Sequence, residues 1–237
     1  MSRFEKFWPV VQFAGKDNLR QQSAMWQAML MAANIEPSKQ IVIRGFIISG
    51  GQKMSKSIGN VIAPQDVLNT YAPLSPFATD VLRFFLTHEV LPFEDSDITN
   101  ERLAESYATN LQNGLGNLVS RSLKMSSSYL TAPVAIGERS FKPEFIKAFE
   151  TYNTKGAIDV VMHLVREADA FIQKTEPFKV YKVDQEKARG IVTELIQKLS
   201  EIAFHLAPFL PDTAREIDRL IMQNISPEKP LFARLEK

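Results

Sequence analysis

The sequence predicts a mainly α protein in which a short α/β portion leads, through small connecting helices, into an all-helical bundle. Three observations carry this reading. A strand, a helix and a strand follow one another before residue 50, the pattern of a parallel βαβ unit. From about Thr99 onward every apolar repeat has helical rather than alternating spacing. A chain of 237 residues with 45% hydrophobic content is long enough for one large domain or two smaller ones.

Taken in order, Phe7-Trp8-Pro9-Val10-Val11-Gln12-Phe13-Ala14-Gly15 reads as an apolar strand ending at a glycine. Asp17 or Asn18 then offers an N-cap for a helix to about residue 33. Its apolar positions Leu19, Met25, Trp26, Met29 and Leu30 recur at helical spacing, which predicts a core position for Trp26. Ile41-Val42-Ile43-Arg44-Gly45-Phe46-Ile47-Ile48 is β-branched and bounded by glycines, the pattern of a buried strand. Two strands do not make a stable sheet domain, so the chain is expected to be the C-terminal part of something larger. Short helices follow over 64–71 and 76–88, the second with Asp80 and Arg83 on one face, and 91–97 reads as a connector. A helix over 101–127 carries Leu103, Tyr107, Leu111, Leu115, Leu118, Ser122 and Met125 on a core stripe. Asn110, Asn113, Asn117 and Arg121 form a separate polar stripe on it. Helices over 143–153, 155–174, 184–206 and 211–223 complete a bundle whose boundary lies near 92–99.

Composition closes several routes. The net charge is +1, so any contact with nucleic acid must come from a local patch rather than a global field. There are no cysteines, which excludes disulfides and thiolate-bound zinc, and His88, His163 and His205 stand far apart in sequence, so no metal site is expected. No signal peptide and no apolar run long enough to span a bilayer are present, so the expectation is a cytoplasmic protein without a membrane partner.

The stretch Gly50-Gly51-Gln52-Lys53-Met54-Ser55-Lys56-Ser57-Ile58-Gly59-Asn60 points to chemistry. Lys53 and Lys56 stand three apart among small and hydroxyl residues, so a bending loop can present two ammonium groups to one anion. The hydroxyls of Ser55 and Ser57 can add hydrogen bonds, and a polyphosphate is the natural partner. A generic Lys-x-x-Lys is more often a solvated surface loop. Here the unbroken Lys-Met-Ser-Lys-Ser follows a strand-like run and resembles the signature loop of class I aminoacyl-tRNA synthetases.

Further segments extend the resemblance over most of the chain, to the methionyl-tRNA synthetases. Phe13-Ala14-Gly15-Lys16-Asp17 is similar to that family's Gly-Lys-Asp strand end, and Trp26-Gln27-Ala28-Met29-Leu30 to its Trp-Pro-Ala-Met-Leu helix, with Gln27 replacing the proline. Arg44-Gly45-Phe46 stands where His-Gly-aromatic is usual, and Asp80-Val81-Leu82-Arg83 is similar to its Asp-x-Leu-Arg segment. Leu115-Gly116-Asn117-Leu118-Val119-Ser120-Arg121 resembles the Leu-Gly-Asn-Leu-x-x-Arg helix of its anticodon-binding domain. Thr175-Glu176-Pro177-Phe178 stands where the family has Pro-Trp, and Leu206-Ala207-Pro208-Phe209-Leu210-Pro211 matches its final helix junction.

The resemblance implies the C-terminal remnant of a Rossmann-type nucleotide-binding domain over residues 1–60, a connecting, stem-contact region over 61–97 and an anticodon-binding helix bundle over 98–237. It implies ATP-dependent activation of methionine and transfer to methionine tRNA. Lys56, and secondarily Lys53, would stabilise the departing pyrophosphate, with Ser55 and Ser57 also binding ATP. The glycine pair before them would let the loop move. Asp17 and Trp26 are candidates for positioning the substrate, although Asp17 also reads as a plain helix cap. Asn117 and Arg121, four apart on one helix, would read the edge of an unstacked cytosine at the first anticodon position, and Phe178 would stack on it. Phe178 could equally be a core anchor, and Arg121 could form an ordinary surface salt bridge. Lys174, Lys179 and Lys182 could meet phosphates. The polar stripe reaching Asn110 would make that helix face one for solvent or RNA.

The departures from the family pattern matter. Gln21-Gln22 replaces an aromatic-His pair near the amino-acid pocket, and no His-x-Gly-His string occurs anywhere. That signature and the zinc ligands of the family's connecting peptide would lie in an N-terminal half, so the chain is expected to be inactive alone, as a piece or one half of a split enzyme. ATP with Mg2+ and methionine would be the complete enzyme's substrates and cofactor. A stand-alone tRNA-binding module that no longer catalyses is the rival reading, and a synthetase for another large aliphatic amino acid is a third.

Overall fold

The computed structural model describes residues 3–55 and 57–235, and the backbone falls into two units. The first comprises residues up to 61 and returns over 90–98; the second comprises 62–89 and everything from 99 onward.

In the first unit, α1 (Arg3–Phe7) precedes β1 (Val11–Gly15), where a single longer strand was expected. Pro9, which has no N–H to give a ladder, separates the two. β1 runs parallel to β2 (Gln40–Arg44), with Val11 opposite Gln40 and Gly15 opposite Arg44. The crossover between them is helical from Lys16, through a 3₁₀ turn and a π turn over Gln21–Met25, to α2 (Trp26–Ala32). The expected second strand is broken in two, because Gly45 and Phe46 leave the ladder before β3 (Ile47–Ser49). β3 pairs antiparallel with β4 (Gln52–Lys53) and parallel with β5 (Ser96–Asp97). The segment expected to be a connector therefore supplies a strand.

This unit buries little. Leu30 and Val42 are buried, yet Phe13, Met25, Met29 and Met31 are each more than half exposed. Trp26 is 37% exposed, which overturns its expected core position. A helix with a two-stranded sheet has too few partners to cover both faces, so the apolar stripe legible at 19–30 stays open among the described residues.

The second unit begins with α3 (Pro64–Thr70) and α4 (Ala78–His88). One continuous helix then runs as α5 (Asn100–Ser106), a ten-residue π segment (Tyr107–Gly116) and α6 (Asn117–Tyr129). Leu103, Tyr107, Leu111 and Leu115 recur every four residues and are all buried. An α-helix of about 3.6 residues per turn would carry that spacing off its face, whereas the wider π turn keeps it there. The same widening breaks the expected polar stripe. Asn110 is half-buried and donates to the buried Ser106 hydroxyl at 3.3 Å, while Asn117 remains exposed.

α7 (Pro143–Glu150), α8 (Thr154–Thr175), the short α9 (Pro177–Val180), α10 (Gln185–Leu206) and α11 (Pro211–Gln223) complete the bundle. Its core is Ile158, Val161, Ile172, Leu195, Leu199, Ile202 and Ile217, all within 1% of full burial. After α11 the chain packs again. Phe232 is 1% exposed beside Gly116, and the Tyr107 hydroxyl donates to the Ala233 carbonyl at 2.6 Å. A Cβ on Gly116 would meet the Leu111 carbonyl at 3.0 Å and the Phe232 Cβ at 3.4 Å, which accounts for glycine there.

Glu89 sits at the end of α4 in a nearly closed polar cluster. It accepts from His88 Nδ1 at 2.7 Å and from the Ser106 hydroxyl, with Arg102 Nε at 3.5 Å. The His88 bond first, then Ser106 and the nearby charges, outweigh burial and hold its carboxyl at about 2, against an ordinary 4.5. A depressed carboxyl contributes stability that is fully present above its unfolded value. That stability is lost as pH falls from about 4.5 through about 2. Glu89→Gln is expected to lower stability near neutral pH by roughly 3 kcal/mol and to flatten the acid limb. Urea titrations across that pH range check this.

Candidate functional site

In the first unit, the lysine loop grows out of the β3–β4 hairpin. Gly50 and Gly51 have φ of 63° and 73°, so both adopt the left-handed conformation that a two-residue hairpin turn requires. The pair thus forms a tight reversal. Gly51 N–H donates to Asp97 Oδ2 at 2.9 Å on β5.

Asn60 closes the far side. Its side chain accepts from Ser55 N–H at 2.8 Å and donates to the carbonyls of Ser49 and Lys53, at 3.2 and 3.4 Å. Within this loop the Ser55 and Ser57 hydroxyls lie 2.8 Å apart, and Gly59 N–H returns to the Ser55 carbonyl at 3.0 Å. Gly59 takes φ of 75° to do so. Lys56, the first candidate for charge stabilisation, lies outside the described residues.

Lys53 and Asp17 come together. Lys53 Nζ lies 3.8 Å from Asp17 Oδ2 and 4.6 Å from the centroid of the Phe46 ring. Lys16 Nζ approaches the same ring at 5.4 Å and pairs with Asp95 Oδ1 at 2.7 Å. Asp95 also accepts from Phe46 N–H at 2.6 Å, and the Lys16 bond, then the Phe46 bond, hold its carboxyl below the ordinary range. Asp17 lies inside the 3₁₀ turn Lys16–Asn18, whose N-terminal boundary is Gly15 with no side-chain cap, so the plain-cap reading of Asp17 does not hold. The result is two lysines and two carboxylates around one aromatic ring. An exposed ion pair contributes only about 0–1 kcal/mol, so Lys53 can leave Asp17 for a stronger anion at little cost. Phe46, Asn60 and Asp95 were not singled out in the sequence. The aromatic after Arg44-Gly45 was the nearest signal for Phe46, and nothing local marks Asp95.

In the second unit, Arg121 and Phe178 meet. They line a cavity of about 260 Å³ with Lys124, Met125, Ser128 and Tyr129. Arg121 NH1 donates to Asp169 Oδ1 at 2.9 Å, and Gln173 donates to the other oxygen of Asp169 at 2.6 Å. The surface salt bridge is therefore real, and it orients the guanidinium beside the cavity. Asn117, one turn earlier on α6, is exposed and does not line it.

Phe178 is placed by a sharp reversal. Glu176 ends α8 in the left-handed conformation, with φ of 42°, and the buried Pro177 opens α9. Phe178 is 43% exposed, which excludes the core-anchor reading. Tyr129 stacks on Tyr181 with centroids 3.8 Å apart and planes 9° from parallel. Lys179 pairs with Glu176 at 2.6 Å, whereas no ion pair among the described residues engages Lys124, Lys174 or Lys182. Among the described residues no helix is long and apolar enough to cross a membrane.

The family model described as tRNA synthetases class I (M) matches residues 1–123. A methionine–tRNA ligase of Rickettsia typhi is 29% identical over 252 residues, covering 99% of this chain and 48% of that protein. One of Clostridium acetobutylicum is 31% identical over 230 residues, covering 90% of this chain and 35% of that protein. The chain thus spans between about a third and about half the length of these curated relatives. Its fold matches a crystal structure of Mycobacterium tuberculosis methionyl-tRNA synthetase bound by methionyl-adenylate, with a TM-score of 0.80 and 24% identity, over 98% of this chain and 52% of that one.

Proposed function

Because the chain belongs to the class I tRNA synthetases of the methionine group, we propose that it supplies the phosphate-leaving loop and the anticodon-reading bundle of a methionine–tRNA ligase. The first unit, residues up to 61 with 90–98, is the catalytic-domain portion; in the second, 62–89 are the connecting helices and the residues from 99 onward the anticodon-binding domain. The rest of the catalytic domain comes from further sequence of the same kind that the relatives carry. The exposed Met25 and Met29, one turn apart in the crossover, support this over a stand-alone binding module, since a free-standing module gains nothing from leaving them in water.

In the reaction, methionine's carboxylate attacks the α-phosphorus of ATP and pyrophosphate leaves, giving the acyl-adenylate; a ribose hydroxyl of the tRNA's terminal adenosine then attacks the acyl carbon, forming the ester as AMP leaves. Charge accumulates on the departing phosphates, so positioned cations lower the barrier. Lys56 and Lys53 supply that charge, with Ser55 and Ser57 as hydrogen-bond partners. Lys53 leaves Asp17 as it engages phosphate, which frees the Asp17 carboxylate to hold methionine's ammonium group, and Trp26 lies on the helix that follows. Magnesium would accompany the phosphates of ATP. Among the described residues no cluster of three or more His, Asp and Glu side chains is placed to hold a metal ion.

The observation that carries the anticodon half is the convergence of Arg121 and Phe178 on one cavity. Phe178 offers a face to the first anticodon base, Arg121 donates to its edge, and Asn117 contacts the strand beside it. The unsubstituted chain is expected to bind a hairpin RNA whose loop carries CAU, and to lose that preference when the loop carries another first base. Phe178→Ala is expected to weaken binding about tenfold, as for other base–aromatic contacts. Fluorescence anisotropy with both RNAs checks this, and equal binding of the two loops would overturn the reading.

A further inference from the structure

The cavity beside Phe178 has a second aromatic wall that the first-base reading leaves unused. Tyr129 lines it from the end of α6, and one face of Tyr129 is covered by Tyr181 from the residues just after α9. Arg189 Nε donates to the Tyr129 carbonyl at 3.1 Å, so the backbone carrying this ring is tied to α10 as well. The ring is therefore backed on one face and its backbone is anchored, which lowers the entropy that ordering a free tyrosine would cost on binding.

The rim has a consistent chemistry. Arg121 and Lys124 both line the cavity, and no carboxylate does; Asp169 lies behind Arg121, on its guanidinium. No ion pair among the described residues engages Lys124, and Ser128 adds a hydroxyl. Flat apolar walls with free positive charge and a hydroxyl at the edge suit a planar ring joined to an anion. A nucleobase with its phosphate has that form, and aromatic stacking accepts any base because every base offers a π face.

Resting on the anticodon reading above, we propose that Tyr129, backed by Tyr181, is a second stacking platform. It takes the base adjacent to the one on Phe178, while Lys124 meets the intervening phosphate. The bundle then grips two consecutive unstacked bases, one on each aromatic wall, and the phosphate contact fixes the spacing between them. Tyr129 acts through its ring and not its hydroxyl.

The test uses the full chain with the CAU hairpin carrying 2-aminopurine on either side of the first anticodon base, since this fluorophore is quenched when it stacks. Binding to the unsubstituted chain is expected to quench the probe at one of the two flanking positions. Tyr129→Leu is expected to restore that fluorescence and weaken binding about tenfold, while Tyr129→Phe keeps both quenching and affinity. Should Tyr129→Leu fail to fold, Tyr181→Leu, which removes the backing ring, carries the same expectation. Quenching that survives in the leucine variant, or affinity that falls equally in Tyr129→Phe, overturns this proposal and leaves the first-base reading standing. No binding of the hairpin by the unsubstituted chain overturns both.

Discussion

Gly45→Ala is expected to destabilise the first unit by about 3 kcal/mol, although the change adds one methyl group. A Cβ at this position would overlap the Glu94 carbonyl oxygen and carbon and lie 2.8 Å from the Asp95 nitrogen. All three are backbone atoms, so no side chain can swing aside. The segment that must move also carries β5 and Asp95. Its displacement would break the bonds from Phe46 N–H to Asp95 and from Ser96 N–H to the Phe46 carbonyl, together with the Lys16–Asp95 pair. These contacts hold the ring on which Lys53 rests. Gly50 provides the contrast. Its φ is 63°, with nothing within 4 Å of an added Cβ, so Gly50→Ala carries only the left-handed penalty of about 1 kcal/mol. Thermal melts of the two variants, with limited proteolysis of residues 50–60, separate the cases. Equal melts for both would show that the close approach is not decisive.

Asp80→Ala is expected to remove about 2–4 kcal/mol from the bundle, and Asp80→Asn less than about 1 kcal/mol. Asp80 is fully buried on α4, and its Oδ2 accepts from Thr213 N–H at 2.7 Å. Thr213 lies in the first turn of α11, where N–H groups have no partner within the helix, and Leu210 offers no side-chain cap. Asp80 therefore caps a helix to which it does not belong. One turn along α4, Arg83 donates to the carbonyls of Pro208 and Phe209, at the corner where α10 ends. An anion on the helix start and a cation on the preceding carbonyls each sit where the backbone dipoles favour them. Burial pushes the Asp80 carboxyl upward, so its negative charge is disfavoured there and the accepting oxygen matters more. Asparagine keeps that oxygen and alanine does not. Urea unfolding of both variants checks the difference, and similar losses for the two would indicate that the charge is what counts.

The spacing of Asp80 and Arg83 on one face was legible in the sequence, but their target was not, because it lies far along the chain. The same division runs through the rest of the molecule. The long helices could be read because their apolar repeats are local, and the lysine loop because its residues are contiguous. Trp26 was misplaced because an apolar stripe shows that a face is hydrophobic and not that anything covers it. β5 escaped notice because two residues cannot display a period, and its pairing depends on β3 some way back. Asn110 left its stripe because the helix changes pitch over Tyr107–Gly116, for which side-chain spacing alone gives no clear sign. At the candidate RNA site, Phe178 and Arg121 were both named, but the cavity joining them, and Tyr129 within it, required the fold.

The return of residues 90–98 to the first unit, after α3 and α4 have been laid down in the second, constrains how the molecule can be taken apart. A chimera built with one splice between the hairpin and the long helix either parts β3 from β5 or takes α3 and α4 away from the bundle. Grafting the RNA-reading bundle cleanly onto another scaffold needs one cut before residue 62 and a bridging loop in place of 90–98. On the ribosome, likewise, the hairpin beneath the lysine loop stays half-paired until α4 has emerged.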